Sequence, residues 1–224
     1  MTRFVELPER DASFFHPWIG DAYQRGIRDG LRLLILGESH YGDDRDDEVP
    51  DSQSTNIVVR GHLAEPSKFR LFRALEQLIT GARLQDSSAR EALWQRVIFY
   101  NFVQRLLRSR RPEHRPTHDD WNVGRAAFVR LLREHRPEAV LVVGTTTWNE
   151  GLSQAGFVDS RPLNDDPTTG LYEWQVAPGH STLATWVPHP TGSFGFSAAK
   201  WRPRVSVLLD RAASATHQRR APLA

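Results

Sequence analysis

The chain has 224 residues, 39% hydrophobic and 10% aromatic, with a formal net charge of +2. That describes one soluble domain long enough to bury a core. It has no cysteine, which excludes disulfides, thiolate zinc centres, iron–sulfur clusters and cysteine nucleophiles. No apolar run reaches the roughly 18 residues of a membrane span, and the first residues lack the apolar core of a signal peptide. A cytoplasmic, monomeric protein is the expectation.

The charge is unevenly spread. Lys68 and Lys200 are the only lysines, so arginine carries nearly all the positive charge. Acid gathers at residues 43–48, and base at 105–115, 202–204 and 219–220. Arginine suits phosphate because its planar fork donates two hydrogen bonds at once, although GC-rich codon usage produces the same bias. The acidic run has no metal-ligand spacing and reads as a solvated loop.

In chain order, residues 1–19 mix aromatic and polar side chains and wrap the surface. A short helix over 21–29 leads into an apolar strand at 31–36. Residues 42–66 then form a long polar connection of the kind often used for function. Phe69, Phe72, Leu75, Leu78 and Ile79 recur at helical spacing, and Gly81 follows as a C-cap. A helix over 88–94 precedes a strand at 97–101, and the basic, proline-containing stretch 108–117 is turn-like.

A third helix is capped by Asp119 or Asp120 and carries a stripe of Val123, Ala127, Phe128, Leu131 and Leu132. Pro137 ends it before a strand at 139–144, which turns at Gly144 into another short helix. Residues 157–177 read as an insertion, with a turn over 164–170 and a strand over 171–176. The fourth core strand covers 183–187. A last helix covers 197–209, within a single domain of residues 1–210, and 211–224 form a flexible basic tail. Strands alternating with helices predict an α/β three-layer sandwich around a mainly parallel, four-stranded central sheet.

Three strand ends carry polar side chains. The first strand runs into Gly37, Glu38, Ser39, His40 and Tyr41, the second into Asn101, and the last into His189 and Pro190. This order resembles the uracil-DNA glycosylase superfamily over roughly residues 31–205. The resemblance implies that fold, and implies that Gly37 opens a water-activating motif. It places Glu38 where one branch carries its water-directing glutamate, and Tyr41 where a tyrosine crowds the C5 edge of the base. It further implies that Asn101 reads the base and that His189 opens a leaving-group and DNA-wedge loop.

The sequence also departs from the pattern. Ser39 stands where the classical uracil enzymes have aspartate, and His40 where proline is usual. The His-Pro loop continues as Thr191, Gly192 and Ser193 instead of a Ser-Pro run, and the iron–sulfur branch is excluded for want of cysteine. A divergent branch is therefore expected.

The chemistry fits these residue types on its own terms. Breaking a base–sugar bond builds positive charge on the sugar and negative charge on the base. A carboxylate can orient water and stabilise the cation, which suits Glu38, and an imidazole can stabilise the departing anion, which suits His189. His40 can add a donor or orient a neighbour. A carboxamide offers a donor and an acceptor, so Asn101 fits uracil in one orientation and cytosine in the other. With Gly37, Ser39, His40 and Tyr41 it makes up the base-binding set.

Phe194 and Phe196 are candidate wedges for the gap left by a flipped base, or pack under the last helix. Thr191, Gly192, Ser193, Lys200 and Arg202 are candidate DNA contacts. Tyr41, Phe69 and Phe99 are candidates for stacking on the base. No metal or other cofactor is required, and the partner is single- or double-stranded DNA.

The expected activity is a monofunctional DNA N-glycosylase acting on a flipped pyrimidine in base-excision repair. Uracil is the default substrate, and a hypermodified cytosine of phage DNA, removed in defence, is the alternative. A non-catalytic DNA-binding module would share the fold. An unrelated hydrolase using Glu38, Ser39 and His40 lacks the G-x-S-x-G elbow around its serine.

Overall fold

Four short apolar runs make the centre of the structure, and each is buried on both faces. The computed structural model describes residues 14–28, 30–42, 51–108, 114–152, 159–162 and 170–220, excepting the side chains of 159–162, 219 and 220. Numbered along the chain, the strands are β1 (Trp18–Ile19), β2 (Leu33–Gly37), β3 (Val97–Asn101), β4 (Ala139–Val143), β5 (Asp159–Pro162), β6 (Tyr172–Ala177) and β7 (His180–Val187). The α-helices are α1 (Ser54–Ala64), α2 (Arg70–Thr80), α3 (Ser87–Trp94), α4 (His118–His135) and α5 (Ala198–Arg220).

The seven strands form one sheet in the order β1-β3-β2-β4-β7-β6-β5. Its four central strands, β3, β2, β4 and β7, are parallel, while β1, β6 and β5 are added antiparallel at the two edges. Strand alternation splits the core in two. Leu33, Ile35, Val97, Phe99, Leu141 and Val187 face the layer made by α1, α2, α3 and α5. Leu34, Leu36, Ile98, Tyr100, Val140 and Val142 face α4 and a π-helical segment, Thr147–Leu152. Three layers result, as the alternation of strands and helices predicts.

Local signals account for several element ends. Gly81 closes α2 in the left-handed region at φ 84°, where a side chain would be strained. Helix α4 begins with a capping box. Thr117 Oγ1 accepts from Asp120 N at 3.3 Å, and Asp120 Oδ2 accepts from Thr117 N at 2.7 Å. The cap is thus Thr117 and not either aspartate. A hydrogen bond from Arg105 is the main reason that the Asp120 carboxyl is held down at about 2. Val123 is exposed, so the buried stripe of α4 starts from Trp121.

Other expectations are corrected. The stretch 42–66 contains α1, whose buried residues are Thr55, Val59 and His62. A face that buries a threonine and a histidine carries no apolar period, so the helix could not be read from hydrophobicity. The helix expected over 21–29 is only a 3₁₀ turn at Tyr23–Arg25, and β1 and β5 are additional edge strands. Helix α5 continues to Arg220 and buries Ala212 and Thr216, so it passes well beyond the expected tail boundary at 211. The acidic run 43–48, Arg110 and Arg111, and most of the turn at 164–170 lie outside the described residues.

Helix α4 approaches the sheet closely at Gly124. A β-carbon there would lie 2.6 Å from both the Phe102 ring and the Phe102 carbonyl oxygen. Alanine usually stabilises a helix interior by about 1 kcal/mol relative to glycine, but overpacking costs about 1–3 kcal/mol. Gly124→Ala is expected to lower the urea midpoint, reversing the propensity effect; an unchanged or raised midpoint would refute the close approach.

Candidate active site at the strand ends

The connections leaving β2 and β4 go to opposite faces of the sheet: β2 leads to α1, and β4 leads to the segment Thr147–Leu152. In an open α/β sheet this is the point where a crevice forms outside the carboxyl ends of the strands. Asn101 is the last residue of β3, and Glu38 and His189 follow the ends of β2 and β7.

The first two are brought together by register. Gly37 pairs with Asn101 across the β2–β3 ladder. A β-carbon on Gly37 would sit 2.2 Å from Asn101 Oδ1, so only glycine leaves room for the carboxamide. The chain that follows is pinned in turn. Phe102 N donates to Gly37 O, Val103 N to Glu38 O, Leu107 N to His40 O and Gly42 N to Leu107 O, all at 2.8–3.0 Å. The polar motif is therefore held by backbone hydrogen bonds along its length, although part of it lies outside regular structure.

Three side-chain groupings fill the crevice. The Tyr41 hydroxyl donates to Glu38 Oε1 at 3.1 Å, and Arg115 Nη1 lies 4.0 Å from the same oxygen. Burial raises the pKa of the Tyr41 phenol, with the Ser39 hydroxyl opposing the effect, so the phenol stays a donor to the carboxylate.

Next to it, His40 Nε2 lies 2.9 Å from Thr55 Oγ1 and 3.1 Å from Asn101 Nδ2. The Phe15 ring meets the His40 imidazole edge-on at 4.7 Å. Burial pushes the His40 pKa down to about 4. With the amide in this orientation, a neutral His40 uses its Nε2 lone pair as acceptor and keeps its proton on Nδ1.

The third grouping is the loop after β7. His189 Nδ1 accepts from Thr191 N at 3.3 Å and lies 3.2 Å from Thr191 Oγ1, while Gly192 N and Ser193 N turn back to the His189 carbonyl.

His189 does not touch Glu38 or Asn101 in these bonds. Its strand is two places from β2, a separation of roughly 10 Å at ordinary strand spacing. Gly144, at the intervening end of β4, donates its N–H to Val187 O.

The expected DNA-contacting residues divide. Phe194 is fully exposed at the loop tip, whereas Phe196 is half-buried against the core. Thr191, Gly192 and Lys200 are exposed and Ser193 is half-buried. Arg202 turns inward and donates to the Leu78 carbonyl at 3.1 Å, with its guanidinium against Gly81. It therefore serves the C-terminal end of α2, where carbonyls lack helical partners. Phe69 and Phe99 pack in the core, although Phe99 Cζ reaches 3.4 Å from the position of a Gly37 β-carbon.

Phe15, Thr55, Gln104 and Arg115 were not foreseen. Gln104 accepts from Phe14 N and Phe15 N and donates to Asn101 O, which staples the N-terminal segment over the site. No local pattern marks such residues, because most of their partners are distant, up to 90 positions away. Among the described residues, no group of three or more His, Asp or Glu side chains is arranged to hold a metal ion, and no helix is long and apolar enough to cross a membrane.

Because neutral His40 is favoured by folding, it contributes stability above the ordinary histidine pKa. That contribution is lost as pH falls from about 6.5 towards about 4. We expect acidification over this window to cost wild-type protein on the order of 2–3 kcal/mol more than His40→Gln, read from urea melts at both ends. Parallel pH profiles would refute the buried neutral ring. No protein-family model matches this chain, and no curated protein matches it either.

Proposed function

We propose that the protein is a DNA glycosylase with the fold and site plan of the uracil-DNA glycosylase superfamily. In this reading it flips a pyrimidine from DNA and hydrolyses its N-glycosidic bond. The observation that carries the reading is the placing of a tyrosine-oriented carboxylate, a buried carboxamide and a histidine loop at the carboxyl ends of neighbouring parallel strands. Each group has the chemistry that the reaction requires at a different atom of the substrate.

Glu38 holds one oxygen on Tyr41 and turns its remaining capacity to a water near C1′. As the C1′–N bond breaks, its electron pair leaves with the base and the sugar becomes cationic. The carboxylate stabilises that cation and accepts the proton of the attacking water, which closes the bond at C1′. His189 hydrogen-bonds the departing base and spreads its negative charge. Asn101 reads the Watson–Crick edge, and neutral His40 holds the amide in one orientation, which selects among pyrimidines.

Flipping a base costs a few kcal/mol, part of which an apolar wedge recovers by filling the gap. Phe194 has the exposure for that task. It is flanked by Ser193 and Gly195, the latter at φ 69°. Thr191, Gly192, Ser193 and Lys200 offer phosphate contacts around it.

The direct test is incubation with duplex and single-stranded DNA carrying uracil, mismatched thymine, hydroxymethylcytosine or glucosylated hydroxymethylcytosine, followed by alkali. Strand breaks at one base identify the substrate; intact DNA throughout, with binding retained, leaves a non-catalytic module. On the active substrate, Glu38→Gln is expected to lower the single-turnover rate by roughly a hundredfold or more, and full retention would sink the site assignment. Phe194→Ala should slow excision from duplex about tenfold while sparing single strands, since only the duplex has a stack to fill. Equal losses on both would remove the wedge role.

A further inference from the structure

The helical layer of α1, α2 and α3 holds a second concentration of ionisable groups that the strand-end chemistry does not use. Glu76 of α2 is almost completely buried. Its Oε1 lies 2.6 Å from His62 Nε2 of α1, 3.0 Å from Trp94 Nε1 and 3.2 Å from Arg90 Nε, both of α3. Arg90, also buried, donates to the Leu84 carbonyl as well. A buried carboxyl is tolerated only with such partners, and these tie three helices together beneath a surface groove.

The groove has a volume of about 390 Å³ and is lined by Arg70, Arg73, Arg83 and Arg90, with Glu76 as its one carboxyl. The carboxyl is engaged by His62, Trp94 and Arg90. Arg70, Arg73 and Arg83 are exposed and make no ion pair among the described residues. Three arginines lining one concavity with no ion-pair partner among the described residues make it a favourable place for an anion.

The backbone adds to the same field. Helix α2 starts at Arg70 after Phe69, which offers no side-chain acceptor, so its first N–H groups have no side-chain cap. Ser67, Gln77 and Gln85 supply neutral donors and acceptors along the groove. The volume lies in the range of small-ligand sites, and guanidinium forks match phosphate oxygens in pairs.

We propose that this groove binds a phosphorylated anion of nucleotide size. The phosphate lies between Arg70, Arg73 and Arg83, and the sugar or base lies against the neutral side chains. The site shares no lining residue with the strand ends, and the inference does not depend on base excision. The phosphate can come from a free nucleotide or from the backbone of a nucleic-acid strand, and the two sources are separable.

The experiment titrates the full chain with ATP by calorimetry, and with a fluorescent oligodeoxyadenylate by anisotropy, at low ionic strength. Each is repeated with Arg70→Ala/Arg73→Ala, Arg83→Ala and, as a control outside the groove, the exposed His217→Ala. Binding of either probe should weaken about tenfold or more in the arginine variants and stay unchanged in His217→Ala. The altered side chains are exposed, so thermal midpoints should match wild type.

Loss of ATP binding assigns a nucleotide site, and loss of oligonucleotide binding alone assigns a backbone contact. If neither probe binds wild type, or if the arginine variants bind as wild type does, the proposal is overturned. Neither probe carries a pyrimidine, so the result stands apart from any failure of the glycosylase assay.

Discussion

Across the paired ends of β2 and β3, Gly37 faces a carboxamide with no space for a β-carbon between them. Much of the strand-end site depends on that contact. It lets Asn101 stay buried beside the backbone of β2, and it brings the amide to His40. It also allows the chain after Gly37 to run against residues 102–107 with its backbone hydrogen bonds satisfied. A buried carboxamide without partners would cost more than it contributes. Here its nitrogen lies on His40 and its backbone carbonyl on Gln104.

The site therefore differs in rigidity from one part to another. Glu38, His40 and Asn101 sit in a web of hydrogen bonds that includes Tyr41, Thr55 and Gln104. In the His189 loop, Thr191, Gly192 and Ser193 close on one residue. A rigid reading wall opposite a locally folded loop suits the proposed chemistry. In that proposal the base edge meets fixed donors, whereas the wedge side follows the DNA. Phe194, with no core to leave, can move with that loop at little energetic cost.

Helix α1 has a double role that its composition conceals. It offers Thr55 to the strand-end site and His62 to the Glu76 network. Its buried positions are thus largely polar, and its apolar Ile57 is exposed. The helix is positioned by specific hydrogen bonds more than by a continuous apolar stripe. That is why the stretch 42–66 reads as loop when only hydrophobic period is followed.

By itself the sequence determined what short-range physics dictates. The continuous apolar runs at 33–36, 97–100 and 139–143 could only be strands covered on both faces, and Gly81 and Pro137 stopped helices because few other conformations were open to them. Glu38, Asn101 and His189 were visible as polar groups closing apolar runs, so their sharing of one edge followed from parallel topology.

Tertiary structure decided the rest. Register brought Gly37 onto Asn101, and distant Phe15, Thr55 and Gln104 completed the site. Packing separated an exposed Phe194 from a half-buried Phe196 and turned Arg202 inward. These outcomes depend on neighbours far away in the chain, and pairings across such separations leave no periodic trace among nearby residues.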